Sequence, residues 1–245
     1  MFHFFKKYPK HDNLEWMSVD LHSHLLPGID DGSPDVLTSV SYIKQLSQLG
    51  LNKFICTPHV FKEVYPNNSE TILAALAKTK AELKAQNVKV EISASAEYMM
   101  DIDFLDLLKK NEILAMPNKY ILIEMSYAAK NNNIEQYIFE ICARGYKPIL
   151  AHPERYNYYH NDFNQYQRFK DMGCLLQLNA LSITGYYGKE VNKIALKLVK
   201  ENKIDLVGTD LHHQKHLDAI TDFTRKGKLY ELLRNTELKN LNLFG

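Results

Sequence analysis

Two histidines one residue apart close an apolar run in "SVDLHSHLLPGIDDG", and two adjacent aspartates, Asp30 and Asp31, follow a Pro-Gly turn. On an extended strand, side chains at i and i+2 point the same way, so His22 and His24 can converge on one ion. Similar groups recur down the chain. His59 ends "CTPH", Glu97 lies in "SAEY", Glu124 in "ILIEM", His152 in "LAHPER", and Asp210 with His212 in "GTDLH". Imidazole and carboxylate without thiolate suit catalytic Mn, Fe, Zn, Ni or Mg-like ions and disfavour a structural cysteine-rich zinc site. Five histidines, two glutamates, Asp210 and one aspartate of the Asp30/Asp31 pair exceed what one ion needs. Two or three ions sharing a bridging carboxylate fit the set. Three divalent ions against four carboxylates leave roughly two positive charges, which favours an anionic substrate such as a phosphate ester.

These groups need strands to carry them. Apolar, β-branched runs at 18–24, 53–59, 88–98, 120–125, 147–153, 174–180 and 205–210 read as parallel strands buried on both faces. Amphipathic stretches lie between them. One is expected to open with Ser33 as N-cap and Pro34 at the first helical position and to close on Gly50. Another starts at Ser69, and "GKEVNKIALKLVKEN" precedes the seventh strand. Seven βα units in one domain argue for a TIM-like barrel with its site at the C-terminal strand ends, a doubly wound open sheet being the alternative. A lone His or Glu at a strand end is ordinarily just a polar terminus. Here six of seven strands end this way, and "CLLQLNA" closes on Gln177 and Asn179 instead.

The chain has 245 residues, ample for a single domain, with 30 basic against 29 acidic side chains. That balance offers no general footprint for nucleic acid or a membrane surface. No apolar run is long enough to span a bilayer, and the aromatic, lysine-bearing N-terminus is a poor signal peptide. Residues 1–17 read as an arm and residues 216–245 as a C-terminal helical region, both candidate docking elements for a homo-oligomer. Three scattered cysteines suggest reduced thiols in a cytoplasm. A cysteine-based phosphatase needs Arg six residues after the nucleophile; Cys56, Cys142 and Cys174 are followed there by Lys62, Pro148 and Ala180.

Taken in order, "DLHSH", "TPH", "AEY", "IEM", "AHPER" and "GTDLH" resemble the motifs of the PHP (polymerase and histidinol phosphatase) metal-dependent phosphoesterases. "HSHLLPGIDDGS" and "AHPERY" are most like the CpsB/YwqE-type tyrosine-protein phosphatase branch, associated with bacterial capsular and extracellular polysaccharide synthesis. The resemblance implies a distorted (β/α)7 barrel holding two or three ions, with Mn²⁺ foremost. It implies one ion on His22, His24, Glu97 and Asp210, and a second on Glu97 as bridge, Glu124 and His152. A third would take His59, His212 and Asp31, with Asp30 as the alternative. Asp20, on the same face as His22, reads either as an orienter for an imidazole or as a strand-edge residue.

Metal-bound hydroxide is expected to attack phosphorus, with Glu97 and Asp210 in the catalytic cluster and Arg155 on the phosphate. A planar guanidinium can grip two phosphate oxygens, although a salt bridge to Glu154 or Asp162 is the structural alternative. Relatives commonly carry a further arginine after the Asp-x-His motif; here "DLHHQKHLD" has none, leaving Lys215 as a point donor. The implied substrate is the phosphotyrosine tail of a bacterial tyrosine kinase. A small-molecule phosphatase such as one for histidinol phosphate, a nuclease and a metal-stabilised binding module are the other readings. Tyr98, Met99, Met100, Tyr127, Tyr186 and Tyr187 fall on the expected active-site face and could wall a groove for a phenyl ring, or simply pack loops, as could Tyr156, Tyr158 and Tyr159.

Overall fold

A computed structural model describes residues 11–245; the first ten residues of the expected N-terminal arm lie outside the described residues. Helix α1 (Val36–Gln48) starts later than expected. Asp35, not Ser33, is its N-cap, accepting the Thr38 N–H at 2.8 Å. Ser33 is buried and engaged elsewhere: its N–H donates to His24 O and its own carbonyl accepts from Gly28, closing the 24–33 loop on itself.

The run 53–59 is two short strands, β1 (Lys53–Cys56) and β2 (His59–Val60), and after α2 (Ser69–Ala85) the run 88–98 is likewise β3 (Glu91–Ala94) and β4 (Glu97–Met99). Pro58 has no N–H to offer a ladder, which accounts for the break in the first run. Pairing still spans the gap, since Ser95 N–H donates to Cys56 O and Glu97 N–H to Pro58 O, at 2.9 and 3.0 Å. Then come α3 (Ile102–Lys110), β5 (Tyr120–Glu124), α4 (Ile134–Ala143), β6 (Lys147–Ala151), α5 (Asn164–Asp171), β7 (Leu175–Asn179), α6 (Lys189–Lys200) and β8 (Leu206–Gly208). Helices α7 (Gln214–Arg225), α8 (Lys228–Leu233) and α9 (Asn240–Phe244) end the chain. All strand pairs are parallel, in a six-stranded sheet β2-β4-β5-β6-β7-β8 and a two-stranded sheet β1-β3.

Residues 18–24, expected as the first strand, pair through isolated parallel bridges, Asp20 to Phe54 and Ser23 to Leu211. The segment lies between β1 and the chain leaving β8: Ile55 N–H donates to Asp20 O, Asp210 N–H to His22 O and His24 N–H to Leu211 O. Asp20 helps fix that seam. Its carboxylate accepts the Thr209 N–H at 2.9 Å and hydroxyl at 2.6 Å, so it ties backbone segments and does not orient an imidazole. Below it, the buried Asn240 side chain donates to Val19 O and Val207 O, at 3.0 and 2.7 Å, and accepts from Val207 N–H.

Alternation along the strands creates two apolar clusters. The larger packs helices against strands; the smaller joins Leu21, Ile55, Leu122, Ile149 and Leu206 over Tyr120 and Phe244. Leu122 and Glu124, and Leu206 and Asp210, are separated by even steps, so the chemical groups stand above this apolar floor. No helix among the described residues is long and apolar enough to cross a membrane.

Candidate metal centre

Glu97 opens β4 and sits where the expected ligands meet. Its Oε2 lies 3.2 Å from His22 Nε2, 3.3 Å from His24 Nε2 and 3.2 Å from His59 Nδ1, and its Oε1 lies 3.1 Å from His152 Nε2. Asp210 Oδ1 approaches the same two nitrogens of His22 and His24 at 3.3 and 3.4 Å, and Glu124 Oε1 is 2.8 Å from His59 Nδ1. Burial by itself would raise both Glu97 and Asp210. The imidazoles outweigh it, His22 and His59 around Glu97 and His22 and His212 around Asp210, and hold both carboxyls well below the usual range.

Three of these imidazoles are pinned from behind. His22 Nδ1 is 2.7 Å from Gln177 Oε1, His24 Nδ1 is 2.7 Å from Asp30 Oδ2, and His212 Nδ1 is 2.9 Å from Asp210 O. An acceptor at Nδ1 places the proton there and turns the Nε2 lone pair into the cluster, the arrangement metal-binding histidines use. Both oxygens of Glu97 are buried without a hydrogen-bond donor, a cost that a cation would offset. The donor set therefore fits divalent ions. Gln177→Ala should free the His22 ring and weaken metal affinity about 10–100-fold, read by competition with a chelator; unchanged affinity would remove Gln177 from this role.

Four overlapping sets bring ligand atoms within 4.8 Å of one another: His22, His24 and Asp210; His22, Glu97 and His152; His59, Glu97 and Glu124; and His24, Asp31, His59 and His212. All nine expected ligand residues are therefore brought together. The grouping differs in detail from the expected one, because His59 turns Nδ1 to Glu124 while His152 sides with His22, and Glu97 is common to both. The aspartate pair divides its work. Asp30 is committed to His24 and to the N–H groups of Gly32 and His59, whereas half-exposed Asp31 faces His59 and His212 at 3.6 and 3.5 Å.

Backbone strain and close approach mark the same place. His152 and Asp210 have φ of 33° and 51°, in the left-handed region that non-glycine residues adopt at some cost. A Cβ on Gly208 would sit 2.6 Å from His22 Cβ, so only glycine lets His22 pack there.

A cleft of about 230 Å³ opens over the cluster, walled by Tyr127, Arg155, Tyr187, His213 and His216. Arg155 donates to Asp210 Oδ2 at 2.9 Å, not to Glu154 or Asp162, and its guanidinium lies between the rings of Tyr127 and Tyr187, 4.7 and 4.3 Å from their centroids. Glu154 turns inward, accepting the Asn179 N–H, and Asn179 donates to Asp210 at 2.6 Å. Lys215 is exposed and is not among the cleft residues; His213 and His216 line the cleft. Of the other aromatics, Tyr98 and Tyr156 are buried and accept backbone N–H groups, and Tyr159 is buried in the core. Tyr65, which the sequence did not single out, stacks on His59 at 5.4 Å.

The cysteines play no part here. Burial pushes the Cys56 thiol up to about 12 and Cys174 higher still, while Cys142 is exposed. Iodoacetamide should slowly label the native protein at Cys142 alone and leave its activity intact; loss of activity on labelling would reopen a thiol mechanism.

Residues 18–222 match the family described as "Capsular polysaccharide synthesis, CpsB/CapC". The chain is 28% identical over 198 residues to the tyrosine-protein phosphatase YwqE of Bacillus subtilis, covering 80% of this chain and 78% of that protein. It is 27% identical over 201 residues to the tyrosine-protein phosphatase CpsB of Streptococcus agalactiae, covering 80% and 83%. A crystal structure from work on B. subtilis YwqE and Streptococcus pneumoniae CpsB, described as unique metal-dependent tyrosine phosphatases, superposes with a TM-score of 0.76 at 26% identity, over 90% of this chain and 96% of that one. A lactonase from Listeria monocytogenes shares the fold at 12% identity, with a TM-score of 0.57. A match spanning residues 18–222, over the strands and loops that carry all nine clustered side chains, makes this chain a member of the CpsB/CapC family of capsular polysaccharide synthesis.

Proposed function

We propose that the protein is a metal-dependent protein-tyrosine phosphatase whose substrate is the phosphotyrosine tail of a bacterial tyrosine kinase controlling capsular or extracellular polysaccharide synthesis. The observation that carries this reading is the convergence of nine His, Asp and Glu side chains in overlapping groups centred on Glu97, with Arg155 on the wall above. His22, His24, Asp31, His59, Glu97, Glu124, His152, Asp210 and His212 are the proposed ligands, for two or three ions with Mn²⁺ foremost, in a cytoplasmic enzyme. Bound divalent ions would supply charge neutralisation at the phosphoryl oxygens and water activation near neutral pH. The protein's own part is positioning. Arg155, clamped between two tyrosine rings, presents its fork to the phosphoryl oxygens; Tyr127 and Tyr187 give the phenyl ring of the substrate a flat wall; Gln177, Asp30 and Asn179 hold the ligands still. A phenolate leaves readily, so no strong acid is required of the cleft.

A distorted (β/α)7 barrel belongs to the same reading. It is supported by the parallel ladders and by the 20–24 segment, which bonds to β1 on one side and to the chain after β8 on the other. Residues 1–245 then form one catalytic domain, and the outer helices are candidate surfaces for self-association.

The test is to strip the protein with chelator, restore Mn²⁺, and compare phosphate release from a phosphotyrosine peptide and from histidinol phosphate at matched concentrations. Metal-dependent preference for the peptide is expected. Preference for histidinol phosphate would move the enzyme to small-molecule chemistry, and release from neither, with metal bound, would overturn the reading.

A further inference from the structure

The start of α7 brings two histidines to the cleft that the metal cluster does not use. His213 is occupied as the N-cap of α7, its Nδ1 accepting the His216 backbone N–H at 3.4 Å. His216 is placed differently. Its own Nδ1 accepts the backbone N–H of His212 at 3.3 Å. An amide can only donate, so that nitrogen is bare and the single proton of the neutral ring sits on Nε2. Nε2 has no hydrogen-bond partner among the described residues, although the residue is only 7% exposed and lines the cleft. The rings of Tyr186 and Tyr187 meet it edge-on, with centroids 5.1 and 6.1 Å away, and hold it upright. Tyr187 also carries the Arg155 guanidinium, 4.3 Å from its centroid. Two donors are thus packed against one tyrosine, on the same wall.

We propose that His216 is the second substrate contact of this cleft, donating from Nε2–H to a phosphoryl oxygen of the ester that Arg155 grips. The substrate class rests on the phosphatase reading above, whereas the donor rests on the geometry of α7. A fixed neutral donor adds a hydrogen bond without adding charge, so it strengthens binding of the phosphoryl group in the product as well as the substrate.

Direct binding of inorganic phosphate to the Mn²⁺-loaded protein, by calorimetry and with metal content measured in each sample, separates this role from a structural one. Gln places an amide donor near the position of Nε2, while Asn can replace only the Nδ1 acceptor that supports His212. His216→Gln should bind phosphate within about threefold of the unaltered protein, and His216→Asn should bind about five- to tenfold more weakly at equal metal content. The reverse order, with Asn tolerated and Gln not, would show that His216 only props His212, and equal affinity in all three would show no contact; either overturns the proposal. Because phosphate binding is measured apart from turnover, a protein that ranks as expected yet releases no phosphate from the peptide would overturn the phosphatase reading and leave the anion contact standing.

Discussion

Glu97→Gln should reduce phosphate release by about a thousandfold or more, with the fold intact. Glu97 is fully buried, and four imidazole nitrogens lie within 3.3 Å of its two oxygens. The amide keeps the volume and removes the charge. What changes is the electrostatic centre on which three of the four ligand-atom groups depend directly or through His22, since Asp210 reaches only His22 and His24 of the four imidazoles around Glu97, and Glu124 only His59. A loss of about a thousandfold corresponds to roughly 4 kcal/mol of transition-state stabilisation, more than a single neutral hydrogen bond supplies. Bound manganese should fall with it, while circular dichroism and the thermal midpoint, compared on metal-free samples, stay close to those of the unaltered chain. Retained turnover in a folded Glu97→Gln protein would falsify the central role given to this carboxylate.

The second large effect belongs to Arg155. Arg155→Lys should lower kcat/KM by about a hundredfold, nearly as much as Arg155→Ala. Lysine keeps the charge, yet it has neither the planar fork nor the faces that lie against Tyr127 and Tyr187. Arg155 also donates to Asp210, so metal content must be measured with the kinetics. Full metal with low activity identifies Arg155 as a substrate contact. Lost metal would identify it as a support for Asp210, and activity within a few-fold for the lysine variant would reduce it to a point charge.

The clustered residues were legible in the sequence because each sits in a short motif at the edge of an apolar run. His22 and His24, at a spacing of two, project together from an extended segment, and the other groups stand at or just beyond the ends of apolar runs that form short buried strands. Loop and helix-start geometry was harder to read. Nothing in "DD" separates Asp30 from Asp31 until the 24–33 loop closes on itself and commits Asp30 to His24. Lys215 read as the spare cation of its segment, but His213 caps α7, which sets the helical phase: His216, Ile220 and Thr224 fall on the buried face and Lys215 turns out to solvent. Gln177 and Asn179 looked like the exception among the strand ends. They stand at the same level as the clustered side chains and hold two of them, His22 and Asp210, and amide side chains carry no sequence signal that distinguishes this from ordinary polarity.

The Asn240 clasp bears on how the enzyme is made. A ribosome delivers His22 early and Asp210 late, and all nine proposed ligand residues have been synthesised by position 212. The side chain that fastens the first segment to β8, through Val19 and Val207, is added 28 residues after that. Joining partners 221 positions apart is a slow, non-local closure that must wait for the last helix to emerge. A chain that stops short of Asn240 carries all nine clustered residues but lacks the side chain that ties the seam beneath them.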